Sequence, residues 1–240
     1  MKKIVVLTGA GVSAESGIHT FRDSGGLWEG HDVMEVASPE GFAKNPALVL
    51  DFYNQRRRKL FEVTPNAAHL ALVELEAHFD TTIVTQNVDD LHERAGSSRV
   101  IHLHGELLKS RSTSNPDKIY PCTGDILLGD NCEFGSQLRP HIVWFGESVP
   151  MLNLGISYVM ECDWIIIIGS SMQVYPAASL AGFAPGHAGM DYVDIKPSIN
   201  YELSMRPGLN IIEKKASIGV PEVVKRLIKQ EKSECLRNTN

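Results

Sequence analysis

Residues 3–28 read KIVVLTGAGVSAESGIHTFRDSGGLW. The stretch opens on the apolar run Ile4-Val5-Val6-Leu7, of the β-branched kind that forms a strand buried on both faces. The chain then turns at Gly9-Ala10-Gly11 toward Ser13. After a strand, such a turn lets the backbone pass close to a pyrophosphate and aims the N–H groups of a following helix at it. In a dehydrogenase that helix would run on into a second buried strand ending in an acidic residue, about 20 residues past the glycines. Here the space holds Glu15-Ser16-Gly17, then Thr20-Phe21-Arg22-Asp23-Ser24-Gly25-Gly26, and no second apolar strand precedes Trp28. Glycines break a helix. The helix therefore stops early and hands over to an irregular polar loop beside the turn, of a kind that can cover a bound dinucleotide.

At 240 residues the chain is long enough for one large domain or for a domain with a sizeable insertion. Its 43% hydrophobic and 22% charged residues describe an ordinary globular protein. A net charge of −6 and a pI near 5.8 argue against nucleic acid as the main partner. The N-terminus enters a short strand at once, with no apolar segment long enough for a signal or a membrane span. A cytoplasmic protein is expected, with a monomer compatible with the sequence and the oligomeric state left open. Cys122, Cys132, Cys162 and Cys235 form no dense framework, so no disulfides are expected.

Beyond the first turn, residues 40–61 carry a helical pattern uninterrupted by any strand. Within it Tyr53 and Arg56 are three apart on one helix face, where a phenol and a guanidinium can meet one carboxylate; a solvated basic face is the competing reading of Arg56-Arg57-Arg58-Lys59. Residues 81–85 read as a buried strand ending in Gln86-Asn87-Val88-Asp89. Ligands of an open α/β sheet sit beyond the carboxyl ends of its strands, where amide and carboxylate groups can orient a ribose and a carboxamide. A helix cap accounts for an Asp here equally well, though not for Gln86 and Asn87. A further short strand delivers His102-Leu103-His104-Gly105. On residue types alone, the two alternating histidines suit a metal half-site, a core feature or a proton acceptor.

Residues 106–138 read as loop. Residues 139–147 read as a strand running into a turn, Arg139-Pro140-His141-Ile142-Val143-Trp144-Phe145-Gly146-Glu147, whose edge can pair with an extended peptide; core packing is the other reading of Val143 and Phe145. The longest apolar strand, residues 164–168, ends in Gly169-Ser170-Ser171, small residues that leave room for a cofactor. Asp194-Ile195-Lys196 close a further strand. Residues 220–228 form a closing amphipathic helix, and the polar tail 231–240 is expected to fray.

Together these motifs resemble the sirtuins, NAD-dependent protein lysine deacylases. The sirtuin pattern Gly-Ala-Gly-x-Ser-x-x-Ser-Gly-Ile-x-Thr-Phe-Arg is complete from Gly9 to Arg22, and the likeness extends in order to Ile228. It implies an α/β fold, a Rossmann-like parallel sheet in a single catalytic domain (residues 1–230) with a smaller inserted helical and loop module (roughly 30–63 and 106–138), and NAD between the two.

By resemblance, NAD contacts fall to Gly9, Ala10, Gly11, Ser13, Glu15, Ser16, Gly17, Thr20, Phe21, Arg22, Asp23, Trp28, Gln86, Asn87, Val88, Asp89, Gly169, Ser170, Ser171, Asp194, Ile195, Lys196 and Ala216. Asp194 stands where most sirtuins have Asn. His104 with Gly105 matches the catalytic His-Gly, beside Asn87 and Asp89. Val143, Trp144, Phe145, Gly146 and Glu147 line the acyl-lysine tunnel and peptide groove. Tyr53 and Arg56 match the pair found in sirtuins that remove succinyl, malonyl and glutaryl groups.

The implied reaction releases nicotinamide, joins the acyl oxygen to the ribose, and uses His104 to take a ribose hydroxyl proton, giving free lysine and O-acyl-ADP-ribose. The partners implied are acylated lysine side chains of proteins. Sirtuins usually hold a structural zinc between two Cys pairs in residues 106–138; Cys122 and Cys132 have no close second cysteines, so zinc is not expected. The rival readings are a protein mono-ADP-ribosyltransferase, a non-catalytic NAD or ADP-ribose sensor, and a nicotinamide oxidoreductase, the last lacking its second strand.

Overall fold

The structure, a computed structural model, describes residues 1–18, 27–28 and 30–238. The opening apolar run becomes β1 (Lys3–Thr8). The glycine turn leads into α1 (Gly11–Ala14), a four-residue helix followed by Gly17 at φ +98°, so the early stop expected from the glycines is observed. A ribbon of β2 (Leu27–Trp28) and β3 (His31–Asp32) comes next. Then follow α2 (Val33–Val36), α3 (Pro39–Lys44), α4 (Pro46–Leu60) and α5 (Ala67–Glu76). Side-chain oxygens start them: Ser38 accepts from Gly41 N, Asn45 from Leu48 N and Asn66 from Ala68 N.

The second half contains β4 (Asp80–Thr85), α6 (Leu91–Ala95), β5 (Val100–His102), β6 (Gly105–Ser112), β7 (Ile119–Pro121) and β8 (Leu138–Ile142). It continues through α7 (Leu152–Met160), β9 (Trp164–Ile168), a 3-10 segment (Ala177–Phe183), β10 (Gly189–Asp194), α8 (Tyr201–Ser204), β11 (Leu209–Glu213) and α9 (Ala216–Asn238).

Six strands form one parallel sheet in the order β11-β10-β9-β1-β4-β5. From β1 the chain builds outward through β4 and β5, then returns to the other side of β1 with β9, β10 and β11. The switch point between β1 and β9 opens the crevice where α/β sheets bind ligands. Alternate residues of the central strands pack on opposite faces. Ile4, Val6, Ile83 and Ile166 meet Leu72, Leu75, Val220 and Val224 of α5 and α9. Val5, Leu7, Ile165 and Ile167 meet Val159, Leu180 and Tyr192 on the other side. Each aliphatic side chain so buried stabilises the fold by about 1.5–3 kcal/mol.

A third cluster joins the helices before α5 to an antiparallel sheet of order β7-β6-β8, through Val36, Phe52, Tyr53, Leu60, Leu107, Ile142 and Trp144. The loop expected over 106–138 thus gives way to two strands and the beginning of a third. The sequence masks them because Ser110, Arg111 and Ser112 are buried through hydrogen bonding and ion pairing rather than apolar content. The tail is corrected too: α9 continues to Asn238, with no Gly or Pro after Pro221 to stop it, and Lys2 pairs with Glu231 at 2.8 Å and Glu234 at 2.5 Å.

Candidate active site

The carboxyl ends of β1, β4, β9 and β10 bring the sequence motifs to one edge. Gly9 N donates to Ile168 O at 3.0 Å and Gly11 N to Gly169 O at 2.8 Å. A Cβ on Gly9 or Gly11 would lie 2.8 or 2.6 Å from the Gly169 backbone, so the two turns reach this approach only as glycines. Ser13, fully buried, accepts from Asn87 Nδ2 at 3.2 Å, and Ser170 accepts from Gln86 Nε2 at 3.0 Å. Ser171 follows on the same turn. Asp194 is buried at the tip of β10, its carboxylate accepting from Lys196 N at 2.8 Å, with Ile195 exposed between them.

Other expected contacts are held by the protein itself. Glu15 takes Ser217 N and Oγ at 3.1 and 2.6 Å, tying α1 to the start of α9 beside buried Ala216. Ser16 Oγ accepts from Asn66 Nδ2 at 3.0 Å.

The loop after β4 is stitched to the next segment by three successive carbonyls. Gln86 O faces His104 Nδ1 at 3.1 Å, Asn87 O faces His102 Nδ1 at 3.0 Å, and Val88 O accepts from Leu107 N at 2.8 Å. A carbonyl only accepts, so both imidazoles carry a proton on Nδ1. His102 Nε2 is engaged as well, 2.7 Å from Glu93 Oε1. His104 Nε2 has no partner among the described residues, and its burial lowers its pKa more than the Gln86 carbonyl raises it, so the ring is neutral at pH 7. Asp89 is 6% exposed, and burial pushes its carboxyl up to about 6 against the N–H of Leu91 and the hydroxyl of Ser13.

In the third cluster Trp144 is buried, its Nε1 donating to Tyr53 Oη at 3.0 Å. Arg56, one turn along α4, lays its guanidinium 3.3 Å from the Phe52 ring centroid and 4.6 Å from that of Trp28. Val143 N donates to His104 O at 2.9 Å, which joins the segment after β8 to the main chain that bears the imidazole. Phe145 is exposed and Gly146 has φ +88°. Glu147 has another partner set than the tunnel: it binds Arg111 at 2.9 and 3.0 Å and Arg139 at 2.7 and 3.1 Å, and accepts from Trp144 N at 2.8 Å. Burial alone would raise its pKa, but those bonds and charges lower it overall.

The cysteines diverge. Cys122 N pairs with Leu108 O and its thiol donates to Gly124 O at 3.4 Å, whereas Cys132 Sγ lies 3.3 Å from Ser112 Oγ, four residues farther along β6. Four strand residues span about 13 Å. Around Cys132 the neighbours are hydroxyls: Ser112 Oγ is 3.2 Å from Ser114 Oγ, which accepts from Ser136 Oγ at 2.7 Å. Neutral hydroxyls are poor partners for zinc, so this donor set does not fit a structural ion. Among the described residues no group of three or more His, Cys, Asp or Glu is arranged for a metal.

Thr20, Phe21, Arg22 and Asp23 lie outside the described residues. Sequence reading missed Arg57, fully buried on α4 inside the basic run; it donates to Leu107 O at 2.9 Å, Asn54 Oδ1 at 2.8 Å and Gly124 O at 3.1 Å. It also missed the Arg111 and Arg139 clamp on Glu147, and the buried His92 beside Thr8.

Glycine turns at a topological switch point, hydroxyls and amides around them, and a neutral imidazole with one nitrogen to spare define a dinucleotide-dependent α/β enzyme. The Sir2 family model matches residues 9–176. The chain is 54% identical over 237 residues, 99% of its length and 100% of the relative's, to a protein of Helicobacter pylori strain J99 named NAD-dependent protein deacylase. It is 50% identical over 234 residues, 95% of this chain and 99% of the other, to a protein of that name from Bacteroides thetaiotaomicron. Among solved structures it resembles a Sir2 homologue in complex with NAD, at TM-score 0.85 and 40% identity over 96% of this chain and 91% of that one. It also resembles Sir2 bound to an acetylated peptide, at TM-score 0.74 and 28% identity over 95% and 92%. The chain belongs to the Sir2 family.

Proposed function

We propose that this NAD-dependent protein deacylase removes acetyl groups from protein lysines and also acyl groups that end in a carboxylate, succinyl and malonyl. What supports the second part is the placement of half-buried Arg56 three residues after buried Tyr53 on α4. The guanidinium is backed by the aromatic rings of Trp28 and Phe52, and the phenol, accepting from Trp144, keeps its own proton to give. A planar guanidinium with a phenol beside it suits an acyl-chain carboxylate.

The residues at the sheet edge fit the dinucleotide: a turn that admits only glycine at two positions, buried hydroxyls, and a buried amide and carboxylate. Gly9, Ala10, Gly11, Ser13, Gly169, Ser170 and Ser171 would hold its phosphates, Asp194, Ile195, Lys196 and Ala216 its adenosine, and Gln86, Asn87 and Asp89 its nicotinamide ribose. NAD supplies a bond whose cleavage frees nicotinamide and a ribose hydroxyl that receives the acyl group. His104, neutral and donating through Nδ1, takes the proton of that hydroxyl at Nε2. The segment from Val143 to Gly146, tied through Val143 N to His104 O, would carry the peptide past the imidazole.

Mass spectrometry of matched acetyl, succinyl and malonyl peptides, with and without NAD, tests this. NAD-dependent loss of all three acyl groups, with O-acyl-ADP-ribose formed, is expected. Removal of acetyl alone would sink the carboxylate reading, and ADP-ribose retained on protein would favour a transferase.

A further inference from the structure

Thr8, the last residue of β1, immediately precedes the glycine turn and is fully buried. Its hydroxyl donates to Thr85 Oγ1 at 2.7 Å and lies 3.1 Å from His92 Nε2. Because Thr8 gives its only proton to Thr85, His92 must donate from Nε2. Thr85 Oγ1 in turn accepts from Asn87 N at 3.0 Å. One hydroxyl therefore pins both ends of the loop from Gln86 to Leu91 that carries Asn87 and Asp89.

A second ring backs this node. His69 lies 4.9 Å from His92, centroid to centroid, and both side chains are fully buried. His69 Nδ1 accepts from Asn66 N at 3.3 Å, which leaves the proton on Nε2. Among the described residues, His69 Nε2 and His92 Nδ1 have no hydrogen-bond partner. One is a surplus donor and the other a surplus acceptor, so the two rings are chemically matched. Burial lowers both pKa values, His69 to about 4, which keeps these tautomers in place. Buried polar groups in this state suit a role that rigid packing of apolar side chains would not supply.

We propose that Thr8, Thr85 and His92 are positioning residues for nicotinamide release, fixing Asn87 and Asp89 relative to the Gly9–Gly11 turn. The inference rests on the deacylase reading, because its consequence is for that reaction. None of the three is placed in contact with substrate.

The test uses the full chain and the variants Thr8→Val, Thr85→Val, His92→Phe and His92→Gln, the first two nearly isosteric and the last able to donate from its amide. Deacetylation kinetics and hydrogen exchange of the Asn87 amide are measured together. Thr8→Val, Thr85→Val and His92→Phe are each expected to lower kcat by about tenfold or more while KM for the acetyl peptide stays within about twofold, as misplacement of a reacting group does. The Asn87 amide should exchange about tenfold faster in all three. His92→Gln should restore both, and the Thr8→Val/His92→Phe double variant should be no worse than the poorer single. Unchanged amide protection in Thr8→Val, or independent additive losses in the double variant, would overturn the inference. A wild-type chain that fails to deacylate any peptide, with Asn87 protection still lost in the variants, would count against the enzymatic reading and not against this one.

Discussion

His102 and His104 hang from the neighbouring carbonyls of Asn87 and Gln86, 3.0 and 3.1 Å away, yet among the described residues Glu93 engages the second nitrogen of His102 and nothing engages that of His104. Burial would drive both rings neutral. At His102 the Glu93 carboxylate outweighs it and raises the pKa; at His104 burial prevails and lowers it. His104→Ala is expected to cut acyl transfer by about 10²–10⁴-fold, with His102→Gln costing far less. Activity should fall on the acid side as His104 gains a proton, below the ordinary imidazole pKa, and as Asp89 is protonated near 6. Equal losses in the two variants, read as kcat on acetyl peptide, would remove the assignment of the base.

Arg56 is the second point of leverage. Its guanidinium stacks on Phe52 and Trp28 and spends Nη1 on Phe52 O at 2.9 Å, an orientation fixed by the helix that bears it. A charge-assisted bond to an acyl carboxylate is worth about 1.5–3 kcal/mol, or about 10- to 100-fold in selectivity. Arg56→Met should lower desuccinylation by that factor and leave deacetylation within about threefold. Parallel loss of both activities would show that Arg56 only supports the rings it stacks on.

Much of this was legible in the sequence, and for definite reasons. The runs at Ile4–Leu7 and Trp164–Ile168 are strands buried on both faces, so hydropathy alone exposes them. The halt after Ala14 follows from Gly17. What stayed hidden depends on long-range pairing. Arg57 sits in a basic run that reads as a solvated face, but carbonyls from Leu107 and Gly124, far along the chain, make a buried socket for it. Glu147 looked available to substrate because nothing local reveals that Arg111 and Arg139 converge on it. His92 gave no signal, since its partner Thr8 lies 84 residues earlier.

The hydroxyl cluster around Cys132 makes a statement about metal content. Ser112, Ser114 and Ser136 hold that corner by hydrogen bonds, and Cys122 is directed to Gly124 instead. Elemental analysis of the purified chain should give well below one zinc per molecule, and chelator should leave deacetylation and the melting temperature unchanged. One tightly held zinc, with unfolding of residues 106–138 on its removal, would contradict this account of the module.

His69 links burial to acid stability. Its Nδ1 closes the N-terminus of α5, and burial holds the ring neutral down to about 4, against 6.5 for an exposed imidazole. Between those values the unfolded chain takes up a proton that the native ring refuses. Stability is therefore complete above 6.5 and lost as pH falls toward 4, by about 1.4 kcal/mol per pH unit for this group at most. Gln is the residue that ordinarily completes a capping box at this position. His69→Gln should keep the cap while removing the titration, so its urea midpoint should fall less steeply than that of the wild type between pH 6.5 and 4.5. Parallel curves for the two proteins would mean that His69 is not buried in the neutral form.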